Sequence, residues 1–539
     1  MILMINIKKD IKLSMRDLVD IYDFVALLVV AVFFILIVPS ADYFISDPDG
    51  GYFLEGALQV FRGGEVPQVD FYASYGPLNF IFRAGVMKLF GISLFSEFIY
   101  VTVGYTIAYT LIFWTVRRFI LSQGAAWTVL LLALIAHPRY YKFFVILIPA
   151  LTIFSAYLYL KLRSLGALFL MGVVICISFL FRHDFGVYAA ISEIVLIASL
   201  RDIHIQKRIG IILTLGAFTF ICLLPWGIWL IFQGALGEYI TNLIQVTFEQ
   251  SDKMSLPHPL LHWKGSLSVL YLCFYGELLI LLGALLIQWK HIEVNYRPLL
   301  NAIAIMALFT LLQSAFRSDY PHLLQGVGSI FIAIGVYWNI DWKNIRIQNI
   351  WRALAIVPML VAAYVLIDDY HQLLNLTKGN VGENIKFVKT DRSQMYLDDG
   401  KVSVQDKGKY MMLTLMRGCT GHDEKVVVYP FAPQLAFFAD RLIGSDTLAI
   451  APGYYNTEAN QDRAIKAIER DNVRLVLWDE SKNFDSIPDR NSTVTHPIIH
   501  AFITQNFDKK LNYEGWVVYV RKGIDPIFGE SKLCSPLGL

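Results

Sequence analysis

The sequence predicts a mainly α-helical bundle that crosses a membrane about eleven times and continues into a small C-terminal α/β domain. The composition predicts the membrane part. Apolar residues make up 56% of the 539 residues and charged residues only 17%, whereas soluble chains carry about 25% charge. The mean hydropathy is +0.52. After about residue 371 the long apolar runs stop, and the composition becomes that of a soluble domain.

Long apolar runs mark the predicted spans. A helix needs about 20 apolar residues to cross a hydrocarbon layer of about 30 Å, and most of the runs approach this length. Several are short enough to pair as tight hairpins. The spans are predicted at residues 22–40, 96–115, 124–136, 143–160, 165–181, 186–200, 209–232, 266–289, 298–316, 321–339 and 351–369.

Basic residues in the short loops predict the orientation of the spans. If the N-terminus lies in the cytoplasm, every inner loop carries Lys or Arg beside a helix end, as cytoplasmic loops typically do. An odd number of spans then places the tail on the outer side of the membrane. The basic residues of the predicted inner loops are Arg117, Arg118, Lys161, Arg163, Arg201, Lys207, Arg208, Lys290, Arg297, Lys343, Arg346 and Arg352.

The predicted outer connections combine arginine and aspartate with aromatic residues. In two of these motifs, the arginine could simply pair with the aspartate two residues later and hold a helical hairpin together. Together the motifs could instead form a cationic rim for the phosphate of a lipid, because guanidinium groups bind phosphate through paired charge-assisted hydrogen bonds. The motifs are "FRHDFG" with Arg182 and Asp184, "FRSDYPH" with Arg317, Asp319 and His322, and "HPRYYK" with Arg139 and Lys142.

The segment at residues 46–80, here called the acidic segment, follows the first span directly. Asp47 and Asp49 stand at the exit of that span on either side of Pro48. We predict amphipathic helices on the outer membrane surface at residues 50–62 and 76–91, because apolar residues recur there at helical spacing. Either aspartate could instead only cap the following helix, which is a common use of this residue type.

Carboxylates beside a cationic rim suggest group transfer from a lipid phosphate. A carboxylate can remove the proton from an acceptor hydroxyl, and arginines can stabilise the phosphate as it leaves. Such a reaction requires no cofactor. Binding of a divalent cation stays open, since two aspartates spaced as in Asp-Pro-Asp can bind one through their oxygen atoms. The net charge of +2 is too small to indicate nucleic acid as a partner.

The acidic segment resembles the corresponding region of the GT-C superfamily of integral-membrane glycosyltransferases. The similarity is to bacterial members related to protein mannosyltransferases and aminoarabinose transferases. The arrangement is similar across most of the membrane part, whereas the sequence match is dense only over residues 47–91. The matching residues are Asp49, Gly50, Tyr52, Gly64, Val66, Pro67, Asp70, Phe71, Gly76, Pro77 and Leu78.

The resemblance implies an enzyme of the bacterial inner membrane that takes a sugar from a polyprenyl-phosphate donor on the extracytoplasmic side. It implies a catalytic acidic residue, acting as general base, at the end of the first span, for which we favour Asp49. Asp47 stays open, because the mannosyltransferase branch has adjacent Asp-Glu where this chain has Asp-Pro-Asp. The remaining expected residues are Arg182, Arg317, His322 and Arg139 for the donor phosphate, and Asp70, Tyr75, Asp184 and Asp319 for substrate binding.

We expect two domains. Residues 1–370 would form the membrane domain, with the first outer loop and its interfacial helices at 41–95, and residues 371–539 would form an extracytoplasmic α/β domain. Cys419 and Cys534 could pair if the tail faces an oxidising compartment. The predicted tail elements are strands at 425–430, 473–479 and 515–522, and helices at 432–440 and 457–471.

The alternative function is a transporter or flippase of a lipid-linked substrate. Transporters place polar sites near the middle of the bilayer, often in repeated halves. This chain instead concentrates Arg and Asp at predicted outer helix ends, which favours the transferase. The sequence leaves open which sugar is moved and whether the acceptor is a glycan, a lipid or a protein.

Overall fold

The computed structural model describes residues 20–119, 123–288, 297–338, 345–368, 381–389 and 407–523. These residues form two compact units. The helical unit comprises the described residues of Met1–Ile37, Val101–Trp229 and Leu256–Leu374, and the mixed unit those of Val38–Tyr100, Leu230–Ser255 and Asn375–Leu539. The predicted domain boundary at residue 370 stays a prediction.

The helical unit consists of long apolar helices. Each predicted span coincides with a helical segment. The helices that contain residues of this unit are Ile21–Leu36, Leu94–Phe119, Gln123–Ile135, Phe144–Leu162, Leu165–Phe181, His183–Ala198, Ile205–Phe232, Ser266–Gln288, Arg297–Phe316, Tyr320–Leu323, Val327–Trp338 and Ile345–Asp368.

Six described helices are long and apolar enough to cross a membrane. They confirm the predicted polytopic, mainly helical fold class, whereas the number of about eleven spans stays a prediction. Shorter apolar helices lie at Ile21–Leu36, Gln123–Ile135, Leu165–Phe181 and Tyr320–Val336. The six long segments are Leu94–Arg118, Phe144–Leu162, Ile205–Phe232, Ser266–Gly283, Arg297–Phe316 and Asn349–Asp368.

A tight helical hairpin fixes the first predicted Arg-Asp motif. Arg182 is the only residue between the helices Leu165–Phe181 and His183–Ala198. A β-carbon on Gly186 would lie 2.4 Å from the Cα atom of Phe179, so glycine is required where the two helices meet. Small residues at helix contacts allow such close approach in membrane proteins. The hairpin therefore holds Arg182 at the turn.

The mixed unit contains a four-stranded sheet. Its strands are β1 (Val427–Tyr429), β2 (Leu475–Asp479), β3 (Phe507–Tyr513) and β4 (Trp516–Arg521), in the order β1-β2-β4-β3. β1 is parallel to β2, and β4 is antiparallel to β2 and β3. The helices that contain residues of this unit include Ala41–Ser46, Pro48–Leu58, Leu78–Phe90, Leu236–Lys253, Val381–Lys389, Lys407–Cys419, Pro433–Ala439, Glu458–Arg470 and Pro497–Asn506.

The predicted elements of the tail are confirmed, and one strand was missed. β1, β2 and β4 lie within the three predicted strands, and the helices Pro433–Ala439 and Glu458–Arg470 lie within the two predicted helices. β3 was not predicted because most of it is exposed, including Lys509 and Lys510, so its sequence lacks an apolar alternation. Cys419 is disulfide-bonded, and Cys534 lies outside the described residues.

The acidic segment and the tail share one hydrophobic core. Tyr72, from the acidic segment, is buried in the same cluster as Tyr429, Tyr455 and Trp478. The Tyr72 backbone N–H also donates a hydrogen bond of 2.7 Å to the carbonyl oxygen of Asp446. The acidic segment is therefore packed as part of the α/β unit, although more than three hundred residues separate the two in the sequence.

Candidate functional site

Asp47 and Asp49 lie at the start of one helix of the mixed unit. Asp47 occupies the N-cap position of the helix Pro48–Leu58, with φ −94° and ψ 93°. Its side chain makes no capping hydrogen bond, so the capping alternative does not account for its carboxylate. Asp49 lies in the first turn, where a negative charge is favourable to the helix dipole. Both side chains are partly buried.

The helix Pro48–Leu58 is more buried than the predicted amphipathic helix. Every residue from Gly51 to Leu58 is buried, because the helix packs against Pro433–Ala439 and Leu78–Phe90. Glu55 is fully buried, and its Oε1 accepts hydrogen bonds from Gln59 and from the backbone N–H of Ile443. The tail thus fixes the helix that carries Asp49, and the predicted position at the membrane surface stays a prediction.

Asp70 and Tyr75 make local contacts within the acidic segment. Asp70 is exposed, and its Oδ2 accepts a hydrogen bond of 2.8 Å from the backbone N–H of Val66. The ring of Tyr75 packs 4.7 Å from that of Phe53, measured between centroids. These contacts shape the loop, and the predicted role of both residues in substrate binding stays a prediction.

In the helical unit, Arg182 forms the local pair that its spacing predicts. Its Nε donates to both carboxylate oxygens of Asp184, at 2.9 and 3.2 Å. Its Nη1 donates to Oε1 of Gln325 at 2.7 Å, which ties the hairpin to a residue far along the chain. Asp184 also accepts a hydrogen bond of 2.6 Å from Gln313. The first motif is therefore held from several sides.

The second Arg-Asp motif has the same internal pairing. Arg317 Nε donates to Oδ2 of Asp319 at 3.1 Å, and Nδ1 of His322 lies 2.6 Å from Oδ1 of the same aspartate. Asp319 also caps the short helix Tyr320–Leu323. Burial favours a raised pKa of the Asp319 carboxyl, but His322 and Arg317 outweigh it and hold this pKa well below its usual range. Asp319 is thus an ionised partner for its neighbours.

Lys142 is affected by charged residues of all three motifs. Its side chain is buried, with 2% exposure. Burial lowers the pKa of Lys142 well below its ordinary value, and the positive charges of Arg139, Arg182 and Arg317 lower it further, while Asp319 opposes them. The three arginines are therefore close enough to act on Lys142 electrostatically. We call Arg139, Lys142, Arg182 and Arg317 the cationic cluster.

The sequence predicted Lys142 as part of the cationic rim with the three arginines, but it did not predict that this lysine is buried. The residue belongs to "HPRYYK", where only its charge and aromatic neighbours stand out. The helix after it begins at Phe144, so Lys142 could be taken for an ordinary charge at a helix end. Its burial is a property of the folded helical unit, which no local pattern records.

The structure is similar to crystal structures of ArnT from Cupriavidus metallidurans. The structure of ArnT bound to undecaprenyl phosphate matches with a TM-score of 0.53 and 12% identity, over 95% of this chain and 99% of the ArnT chain. Apo ArnT matches with a TM-score of 0.54 and 11% identity, over 92% and 97% of the two chains. The chain has the fold of ArnT.

The likeness to ArnT confirms the fold that the resemblance in the acidic segment implied. No protein-family model matches the sequence, and a search of curated proteins found no match. At 11–12% identity the likeness to ArnT concerns the fold, so the roles of individual residues rest on this chain's own geometry. In the part of the chain that the structure describes, no group of three or more His, Cys, Asp or Glu side chains could hold a metal ion.

Proposed function

We propose that this chain is a membrane glycosyltransferase that moves a sugar from a polyprenyl-phosphate donor to an acceptor hydroxyl on the extracytoplasmic side. One observation carries the proposal: the buried Lys142 lies within the electrostatic reach of Arg139, Arg182 and Arg317. The likeness of the fold to ArnT, crystallised with undecaprenyl phosphate, supports the choice of donor.

A cluster of like charges around a buried lysine favours an anion as its ligand. Taking a charge out of water costs several kcal/mol unless a partner compensates it. Asp184 and Asp319 pair with Arg182 and Arg317, while the positive charges of Arg139, Arg182 and Arg317 all act on the buried Lys142. A phosphate carries up to two negative charges and several acceptor oxygens, so it suits this cluster well.

The proposed reaction uses the phosphate as the leaving group. The acceptor oxygen forms a bond to the anomeric carbon of the sugar as the bond from that carbon to the phosphate oxygen breaks. The electron pair of the broken bond stays with the polyprenyl phosphate, whose charge the cationic cluster stabilises. The proton of the acceptor hydroxyl passes to the carboxylate of Asp47 or Asp49 acting as general base.

The proposal includes an orientation in the membrane. The basic clusters of the predicted inner loops support a cytoplasmic N-terminus. The disulfide bond of Cys419 supports a tail outside the cytoplasm, because disulfides persist in oxidising compartments. In this orientation the sugar acceptor approaches from the periplasmic side.

The binding part of the proposal is tested with undecaprenyl phosphate as the probe. Native mass spectrometry of the purified protein is expected to show the lipid bound, and Lys142→Met and Arg317→Gln are each expected to weaken binding by about tenfold or more. Lys161→Gln removes an exposed positive charge from the same unit and is expected to leave binding unchanged. Equal binding by all four proteins would overturn the assignment of the cationic cluster.

The catalytic part is tested by the release of free undecaprenyl phosphate. Purified protein is incubated with undecaprenyl-phosphate-linked sugars and a membrane extract as the source of acceptor. A glycosyltransferase releases undecaprenyl phosphate over time, whereas a transporter or flippase moves the donor intact. Movement of the donor without any release would favour the transporter.

A further inference from the structure

The mixed unit contains a polar cavity that no predicted role uses. It encloses about 300 Å³ of space, part of which is open to solvent. Two lysines and one aspartate lie in its wall together with aromatic and small residues. The lining residues are Ser46, Pro48, Lys409, Pro430, Phe431, Ala432, Gln434, Asp479, Lys482 and Trp516.

The charges of this cavity favour an anion. Lys482 and Lys409 both lie in the wall, and the positive charge of Lys409 lowers the pKa of Lys482 in addition to the effect of burial. Asp479 opposes this lowering, and its Oδ1 also accepts hydrogen bonds from the backbone and the hydroxyl of Ser481, at 3.2 and 2.7 Å. The wall therefore holds two lysines against one carboxylate. The Nζ of Lys482 lies 3.5 Å from the carbonyl oxygen of Phe431, at the limit of a hydrogen bond. Lys482 therefore keeps donor capacity for a ligand.

The remaining wall suits a sugar ring. Trp516 and Phe431 supply aromatic surface, against which the apolar face of a pyranose can pack. Gln434 adds an amide that can exchange hydrogen bonds with hydroxyl groups. Aromatic surface together with cationic and amide groups matches a sugar that carries a negative charge.

The cavity also adjoins the start of the acidic segment. Ser46 and Pro48, the residues immediately before and after Asp47, both lie in its wall. A molecule bound there would lie next to the backbone from which this carboxylate extends. No other role assigned above uses Lys409, Lys482 or Trp516.

We propose that this cavity binds an anionic sugar of the acceptor, with Lys482 and Lys409 as ligands of its carboxylate or phosphate and Trp516 as the packing surface. The assignment of the bound sugar to the acceptor rests on the proposed function, whereas the binding of an anionic sugar to the cavity does not depend on it. The cavity would then select charged glycans and place a neighbouring hydroxyl beside the acidic segment.

The binding is tested by protection from chemical labelling, which does not depend on transferase activity. Lysines of the purified protein are acetylated with a succinimidyl ester, and the extent at each lysine is measured by mass spectrometry. Glucuronate and inorganic phosphate are the probes, because they separate a carboxylated from a phosphorylated ligand, and glucose is the neutral comparison.

We expect glucuronate or phosphate at millimolar concentration to reduce the acetylation of Lys482 and Lys409 severalfold, while glucose has little effect. The exposed Lys466, in the same unit and outside the cavity wall, serves as the internal control and is expected to react equally in every case. Equal acetylation of Lys482 with and without both anions would overturn the proposal.

Variants separate this inference from the donor site. Lys482→Gln is expected to abolish protection of Lys409 by the effective anion, whereas Lys466→Gln preserves it. Lys482→Gln should bind undecaprenyl phosphate as the unsubstituted protein does. Loss of that lipid in Lys482→Gln but not in Lys466→Gln would place Lys482 in the donor site and overturn the acceptor assignment. If an anion protects Lys482 and no sugar transfer occurs, the binding assigned to the cavity is supported and the proposed function is contradicted.

Discussion

Gly51 and Gln434 lie so close together that only a hydrogen fits on the Cα atom of Gly51. A β-carbon there would lie 2.4 Å from the Cβ atom and 2.6 Å from the backbone nitrogen of Gln434. The amide of Gln434 in turn donates a hydrogen bond of 3.1 Å to the carbonyl oxygen of Ile45. The helix Pro433–Ala439 thus contacts the chain on both sides of Asp47 and Asp49, at Ile45 and at Gly51.

We expect Gly51→Ala to destabilise the protein. The added methyl group meets backbone atoms of Gln434, which cannot rotate away, so overpacking should cost about 1–3 kcal/mol. The matched control is Gly85→Ala in the helix Leu78–Phe90, where a β-carbon meets nothing within 4 Å. Since alanine is favoured over glycine in a helix interior, Gly85→Ala should be neutral or stabilising by up to about 1 kcal/mol.

The measurement is thermal unfolding in detergent, followed by tryptophan fluorescence. The midpoint should fall for Gly51→Ala and stay equal or rise for Gly85→Ala. Equal midpoints for the two variants would mean that the helices Pro48–Leu58 and Pro433–Ala439 are not in the close contact described.

A buried ion pair joins the helix Leu78–Phe90 to Glu97. Arg83 Nε lies 2.9 Å from Oε2 of Glu97, and both side chains are almost fully buried, with 1% and 2% exposure. The Arg83 guanidinium also stacks on the rings of Phe53 and Tyr100, at 4.5 and 4.7 Å. Arg83→Met should cost about 3–5 kcal/mol, because it leaves the Glu97 carboxylate buried without this partner.

The double variant Arg83→Met/Glu97→Leu distinguishes the loss of the ion pair from the loss of side-chain packing. Replacing both charges with apolar residues of similar volume is often neutral, so the double variant should be more stable than Arg83→Met alone. The same fluorescence measurement applies. A double variant less stable than the single one would show that packing of the arginine stem, and not charge, dominates at this site.

The sequence predicted those parts of the fold that depend on local composition. The apolar runs of the helices and the buried strands β1, β2 and β4 are recognisable because burial requires consecutive or alternating apolar residues. The burial of Tyr72 in the core of the tail could not be predicted, because it depends on contacts between residues far apart in the chain.

In the candidate site, too, only the contacts between residues close in sequence could be predicted. The Arg182–Asp184 and Arg317–Asp319 pairs could be predicted from a spacing of two residues. The burial of Lys142 could not, since it arises from packing within the helical unit. The cavity around Lys482 brings together residues from five separate stretches of the chain, and none of those stretches is distinctive alone.

The position of Lys142 predicts that undecaprenyl phosphate binds more weakly as the pH rises. Burial and the neighbouring arginines lower the pKa of Lys142 in the free protein, and a bound phosphate would raise it again. Binding then takes up a proton, so affinity falls as the pH rises through the lowered pKa, by up to about tenfold per pH unit. Native mass spectrometry or lipid-binding assays between about pH 7 and 9 avoid the second ionisation of the phosphate near pH 6.

Lys142→Met should bind the lipid weakly and with little dependence on pH over the same range. Lys161→Gln, which leaves the cluster intact, should keep the dependence of the unsubstituted protein. A pH dependence that persists in Lys142→Met would assign the proton to another group.

The last prediction separates the two candidate bases. Asp47→Asn and Asp49→Asn each keep the shape of the side chain and remove its ability to take a proton. Loss of a general base typically lowers the rate about 10²–10⁴-fold, so one of the two variants should lose transfer to this extent. The loss should appear in the release of undecaprenyl phosphate but not in its binding.

Stability should change little in either variant. The Asp47 side chain makes no capping bond, and asparagine is as good an N-cap residue as aspartate. Asp49→Asn weakens a favourable interaction with the helix dipole, of about 0.3–1 kcal/mol. Asp462→Asn, which removes an exposed carboxylate from the same unit, is the control for general effects of charge.

The position of Asp47 between two residues of the cavity wall makes it as strong a candidate as Asp49, which the spacing in the sequence favours. If Asp47→Asn alone abolishes transfer, the base lies beside the cavity that we assign to the acceptor. If Asp49→Asn alone does so, the base lies one residue beyond Pro48, within the first turn of the helix. Full activity in both single variants and in the double variant would exclude either aspartate as the base.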